Sequence, residues 1–226
     1  MDEPGRVSFA VGAGRSVSGR LLHPEGARAC LVLAHGAGAG MDHPSVALVA
    51  SGLADRGVAT LRYQFPFMES GSRRPDPPAV AEATVQVAVD EAARLVPGTA
   101  LVAGGRSFGG RMTSQAQAAK PLPGVRGLAF LAFPLHPAGR ISVDRAAHLR
   151  NVSVPMLVLQ GTNDALAEIY HLRSVVAGLG GRATLHTFDQ ADHAFHVPAR
   201  SGRTDSEIRT EMLDVLADWI ARTAKG

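Results

Sequence analysis

The chain carries a single cysteine, Cys30, among 226 residues. That excludes an intrachain disulfide and a cysteine-rich zinc site. Lysine is almost missing as well: of 23 basic residues only Lys120 and Lys225 are lysine, and the rest are arginine. The arginines are scattered, with Arg73-Arg74 the densest cluster, and 20 acidic residues lie among them. A net charge of +3 spread this way draws no phosphate-binding stripe, so no nucleic-acid partner is expected despite a pI near 9.6. No apolar run approaches the roughly 20 residues that span a bilayer, so no membrane partner is expected. The acidic start, Met1 to Gly5, lacks the basic and apolar regions of a secretory signal, and a cytoplasmic protein is expected. What is present is a globular composition, 46% hydrophobic and 19% charged. A domain of this size buries roughly 70–75% of its unfolded surface and needs no staple.

The order of elements points to one domain, residues 1–226, without repeat or linker. Arg6 to Gly12 and Val17 to Leu22 read as a hairpin around Gly12-Ala13-Gly14. Ala29 to Ala34 is a wholly apolar run of strand length, as a strand covered on both faces requires. From there strands at 58–63, 99–103, 125–133, 154–160 and 182–188 alternate with helices at 44–56, 79–96, 111–120 and 166–179. A last helix opens on Thr204-Asp205-Ser206-Glu207, a capping box. Residues 64–78, with four prolines, read as irregular loop. Such alternation predicts a three-layer α/β/α sandwich around a mostly parallel sheet.

In open α/β sheets, ligands bind beyond the carboxyl ends of the strands. Four suggestive segments fall there: 35–40, 105–109, 161–164 and 189–193. Gly105-Arg106-Ser107-Phe108-Gly109 fits G-x-S-x-G, and its setting between an apolar strand and a helix is that of a nucleophile elbow. A serine hydroxyl needs a base, and the base needs a carboxylate to hold it. His193, directly after the last strand, is the expected base, with His196 the fallback; His35 is expected to order its glycine-rich loop. Asp164, on the turn after the strand at 154–160, is the expected acid. Glu168, Asp189 and Asp192 are its rivals, and a helix N-cap is its competing role. The oxyanion formed on attack needs backbone donors. One is Phe108, which follows the nucleophile. The other lies in His35-Gly36-Ala37-Gly38, with Ala37 preferred and Gly36 or Gly38 open.

The motifs HGAGAG at 35–40, GRSFGG at 105–110, GTND at 161–164 and ADHAF at 191–195 together resemble the α/β-hydrolases. They are most similar to the small dienelactone-hydrolase-like branch. RYQFPF at 62–67 with GGRSFGGR at 104–111 also resembles a sub-branch holding a chromatin acetyltransferase-complex subunit and its bacterial relatives. The resemblance implies an eight-stranded sheet with an antiparallel second strand, a triad of Ser107, Asp164 and His193, and Ala37 and Phe108 as oxyanion donors. Dienelactone hydrolases proper use a cysteine nucleophile; here the position holds Ser107.

Residues 134–153 are too few for a cap domain, so an open site is expected. Phe65, Phe67 and Met68, with Phe133 and Leu135, are candidates for an apolar substrate wall or for core packing, and Arg106 and Arg111 for contact with an acidic substrate or for structural salt bridges. The expected function is a serine hydrolase acting on a small ester or thioester without metal or organic cofactor. A scaffold that keeps the fold for a protein partner is the alternative from another class, and peptidase or acyltransferase chemistry on the same three residues is a narrower one.

Overall fold

The computed structural model describes residues 5–12 and 14–225; Ala13, where the sequence reading expected a hairpin turn, residues 1–4 and Gly226 lie outside them. Eight strands form one sheet: β1 (Gly5–Ala10), β2 (Ser16–Leu22), β3 (Ala29–Ala34), β4 (Ala59–Tyr63), β5 (Ala100–Arg106), β6 (Val125–Leu131), β7 (Met156–Gly161) and β8 (Ala183–Phe188). Their order is β1-β2-β4-β3-β5-β6-β7-β8. β2 runs antiparallel to both neighbours, and all pairs from β4 to β8 are parallel. The antiparallel second strand is therefore as expected.

The apolar run of β3 is buried at every position because both faces are covered. Cys30, Val32 and Ala34 enter one core and Ala29, Leu31 and Leu33 the other, the two-residue alternation of a strand. The first core lies under α3 (Pro78–Leu95), α4 (Phe108–Ala119) and α5 (Ile169–Gly178). The second lies under α1 (Pro44–Ala54) and α6 (Asp205–Lys225). Glu207 accepts from the Thr204 backbone N–H at 2.7 Å and donates its own N–H to Thr204 Oγ1 at 3.2 Å, closing the capping box. Cys30 sits mid-sheet with no exposed surface, and burial pushes its thiol pKa up to about 12.

Several boundaries differ from the sequence reading: α4 opens at Phe108 rather than at 111 and α5 at Ile169 rather than at 166. β5 continues through Gly104 and Gly105 to Arg106, since these glycines sit in the ladder rather than in a loop. β6 stops at Leu131 because Ala132 turns to φ +56°. The proline-rich stretch contains a short helix, α2 (Pro66–Glu69), whose Pro66 occupies the first turn, where a missing N–H costs nothing. Residues 134–153 form a loop and a 3-10 helix, Asp144–Asn151, packed on α4, with no cap domain. Among the described residues no helix is long and apolar enough to cross a membrane.

β3 lies between β4 on one side and β5 on the other, so successive crossovers leave it in opposite directions. The crevice of the sheet opens at that reversal, beyond the ends of β3 and β5.

Candidate active site

Ser107 occupies the sharp turn from β5 into α4 with φ 49° and ψ −116°, a backbone region that costs a non-glycine residue about 1–3 kcal/mol. The neighbours make the turn affordable in space. A Cβ at Gly105 would collide with the Ala34 carbonyl, and one at Gly109 would stand 2.5 Å from the His35 carbonyl. Both glycines let the elbow press against β3. The Ser107 N–H donates to the Leu131 carbonyl at 2.9 Å, and its carbonyl accepts from Arg111 N–H at 3.1 Å, so the strained residue is held from both sides.

The Ser107 hydroxyl lies 2.9 Å from His193 Nε2, and His193 Nδ1 lies 2.7 Å from Asp164 Oδ2. A carboxylate only accepts, so Nδ1 carries the proton and Nε2 is left to accept from the hydroxyl. The Asp164 side chain is fully buried, whereas the His193 side chain is 27% exposed. Asp164 does not cap the following helix, which opens at Ile169 with Glu168 as its N-cap; its second oxygen holds the turn that follows β7 instead. Its Oδ1 accepts from the Leu166 N–H at 2.8 Å, while Oδ2 serves the ring. The rivals are occupied elsewhere. Glu168 caps α5 through the His171 N–H, Asp189 accepts from Thr162, and Asp192 accepts from the Ala194 and His196 N–H groups. His196 points to the surface and pairs with Asp205.

The loop after β3 passes over the elbow. A Cβ at Gly36 would lie 3.7 Å from the Arg106 carbonyl and 3.9 Å from Ser107 Cβ. His35, wholly buried, fixes that loop: Nδ1–H donates to the Gly36 carbonyl at 2.7 Å, and Nε2 accepts from the Phe65 N–H at 3.0 Å. Burial pushes its pKa down, in keeping with a neutral ring that orders the chain. Ala37 follows, half-buried, and Phe108 is the first residue of α4, where helical N–H groups have no helical acceptor.

Phe67, expected on the substrate wall, is 3% exposed and packs its ring on His35, Phe65 and Phe108 at centroid distances of 5.8, 6.2 and 6.0 Å. Phe65, Phe133 and Leu135 are buried too, so this wall belongs to the core that supports the elbow. Apolar residues on a proline-rich loop look available in a sequence, but here α2 folds them inward. Arg106 donates from Nη2 to the His193 carbonyl at 3.2 Å and so braces the loop carrying His193.

Two contributors escaped the sequence reading. Gln160, at the end of β7, donates to Asp164 Oδ2 at 2.5 Å. His136 accepts from the Glu168 N–H at 3.0 Å and donates to the Pro137 carbonyl at 2.9 Å, tying the loop after β6 to the loop carrying Asp164. A four-residue separation from Asp164 was the only sequence signal for Gln160, and His136 offered none.

An alpha/beta hydrolase domain family matches residues 27–221. The chain belongs to that family. Among solved structures it is similar to a dienelactone hydrolase from Anabaena variabilis, with TM-score 0.77 and 21% identity over 98% of this chain and 99% of that one. A lidless α/β serine hydrolase from Xanthomonas campestris aligns with TM-score 0.75 and 20% identity over 97% and 96% of the two chains. The esterase domain of a Rhodothermus marinus protein gives 0.73 and 17% over 98% and 99%. This α/β hydrolase thus has the fold of the lidless, dienelactone-hydrolase-like branch.

Proposed function

We propose that this α/β hydrolase cleaves a small carboxylic ester or thioester through an acyl-serine intermediate, with Ser107 as nucleophile, His193 as base and Asp164 as its orienting acid. The observation that carries the reading is the continuous hydrogen-bonded path from the Ser107 hydroxyl through the His193 ring to the buried Asp164 carboxylate. As Ser107 Oγ attacks the carbonyl carbon, its proton passes to His193 Nε2. Negative charge then develops on the substrate oxygen, and the N–H groups of Phe108 and Ala37 receive it. Collapse expels the alcohol or thiol, which takes the proton back from His193. Water repeats the sequence on the acyl-serine, and Ser107 is restored. Asp164 stays ionised throughout and keeps Nδ1 protonated. Every proton in this cycle is handled by His193, so the proposed chemistry calls on no metal or organic cofactor.

A fluorophosphonate probe should label the wild type at Ser107 and leave Ser107→Ala unlabelled. On p-nitrophenyl esters and an acyl thioester, Ser107→Ala and His193→Ala should each lose at least about a thousandfold in kcat, and the double variant should lose little more. Asp164→Asn should lose about 10³–10⁴-fold, because the amide reverses the imidazole tautomer. A folded wild type that resists the probe and turns over neither class would sink the proposal in favour of a fold retained for binding a protein partner.

A further inference from the structure

The segment RYQF, residues 62–65, carries no step of the proposed chemistry, yet three of its members grip the loop after β3. That loop has little of its own to fix its shape. Gly36, Gly38 and Gly40 alternate with two alanines, and glycine orders at the largest entropic cost of any residue. Among the described residues its one internal backbone bond runs from the Ala39 N–H to the Gly36 carbonyl at 3.5 Å, a long contact. Its form is imposed from the end of β4. At the near end of the loop the Phe65 N–H donates to His35 Nε2 at 3.0 Å. At the far end Met41, a buried residue, is held twice. Its N–H donates to Gln64 Oε1 at 2.8 Å, and its carbonyl accepts from Arg62 Nη1 at 2.9 Å. Gly40 lies so near the Gln64 amide that a Cβ there would stand 2.7 Å from Oε1.

Arg62 is poorly placed for stability. Ala59, Leu61 and Tyr63 alternate into the first core, which leaves Arg62 on the opposite face, where the chain from Met41 enters α1. It is 4% exposed, burial pushes its pKa down, and its Nε has no partner among the described residues. Asp42 stands 3.9 Å away and is already paired with Arg20. An apolar residue of similar volume would serve stability as well or better. What the guanidinium secures is the position of Met41. We propose that residues 62–65 are the clamp that sets the oxyanion loop, with Gln64 as the positioning residue that presents the Ala37 N–H to the charge developing on the substrate oxygen. Ala37 lies between two fixed ends, so it cannot turn its N–H away without breaking one of them. The inference rests on the serine-hydrolase reading and deepens it at the oxyanion. A residue acting this way supports the transition state and leaves substrate binding alone.

The test uses turnover of p-nitrophenyl acetate and inhibition by an alkyl trifluoromethyl ketone. In the ketone adduct Ser107 Oγ bonds to the carbonyl carbon, its proton passes to His193, and the carbonyl oxygen becomes the oxyanion. Gln64→Met keeps the volume and deletes the acceptor. It should lower kcat by about tenfold to a hundredfold, a fraction of what deleting one oxyanion donor removes, with KM within about twofold. It should weaken the ketone by the same factor. Gln64→Glu, whose carboxylate still accepts the Met41 N–H, should retain most of the activity. Gly40→Ala leaves Gln64 in place but pushes its flexible amide aside, so it tests the clamp whatever the stability of Gln64→Met, and it should show the same loss. Joined to Gln64→Ala, which clears the space, Gly40→Ala should lose little beyond Gln64→Ala alone. A kcat that Gln64→Met and Gly40→Ala leave unchanged, a loss that falls on KM, or an equal loss in Gln64→Glu overturns the proposal. Hydrogen exchange separates this failure from that of the hydrolase reading. The Met41 amide should exchange at least about tenfold faster in Gln64→Met than in wild type. An inactive wild type that shows this acceleration keeps the clamp and discards the catalysis; an active one in which neither exchange nor kcat responds discards the clamp alone.

Discussion

Asp164 Oδ2 takes two hydrogen bonds, from the His193 ring and from the Gln160 amide, while Oδ1 takes the Leu166 N–H. A fully buried carboxylate depends on such donors, and each one removed exposes the cost of its desolvation. Gln160→Met keeps the volume and deletes one donor. It should destabilise the fold by about 1.5–3 kcal/mol in chemical denaturation, and it should lower kcat as Asp164 loses the bond that fixes its rotation. Ser107 presents the opposite case, a residue kept in a costly conformation for its hydroxyl. Ser107→Gly and Ser107→Ala should be equally inactive, yet the glycine variant should be more stable by about 1 kcal/mol or more, since glycine accepts a positive φ without a Cβ clash. Equal melting temperatures would show that the turn is relaxed.

At the scale of elements, the site is an agreement among strand ends. β7 delivers Asp164 and β8 delivers His193, and the two loops touch where Gly161 meets the Ala191 carbonyl, too close for a Cβ. Gly161→Ala should push the His193 loop off and cost activity well beyond its effect on the melting temperature. Gly109→Ala should separate α4 from β3 and destabilise by about 3 kcal/mol, read by denaturant unfolding. The strands and the three polar residues were legible because each leaves a local trace: ACLVLA is apolar throughout, and Ser107, Asp164 and His193 each follow a strand. α2 left none, as its prolines read as breakers although Pro66 merely opens it. The burial of Phe67 and the bracing by Arg106 depend on segments distant in sequence, His35 for the one and His193 for the other, and no local pattern carries that information. The same holds for His136, whose partner Glu168 is 32 positions away.

For the molecule as a whole, acid acts through groups the chemistry does not use. His148 in the 3-10 helix pairs with Ser114 of α4 at 2.7 Å, and burial with Arg111 nearby pushes its pKa from the usual 6.5 down to about 4. The unfolded chain therefore takes a proton that the folded chain refuses between these two values. Stability from this group is complete above pH 6.5, is lost as the pH falls towards 4, and changes no further below. His35, shifted in the same direction, reinforces the trend. The melting temperature should fall across that interval, and His148→Gln should flatten the fall; an unchanged slope would assign the acid sensitivity to other groups. The lone thiol has a different consequence. Cys30 is sealed in the central strand and held protonated, so reagents that need a thiolate cannot reach it in the folded state. A cysteine introduced at exposed Leu48 would be the one addressable thiol, and a fluorophore there would report occupancy of the cavity it helps to line between α1 and α6 against a silent background.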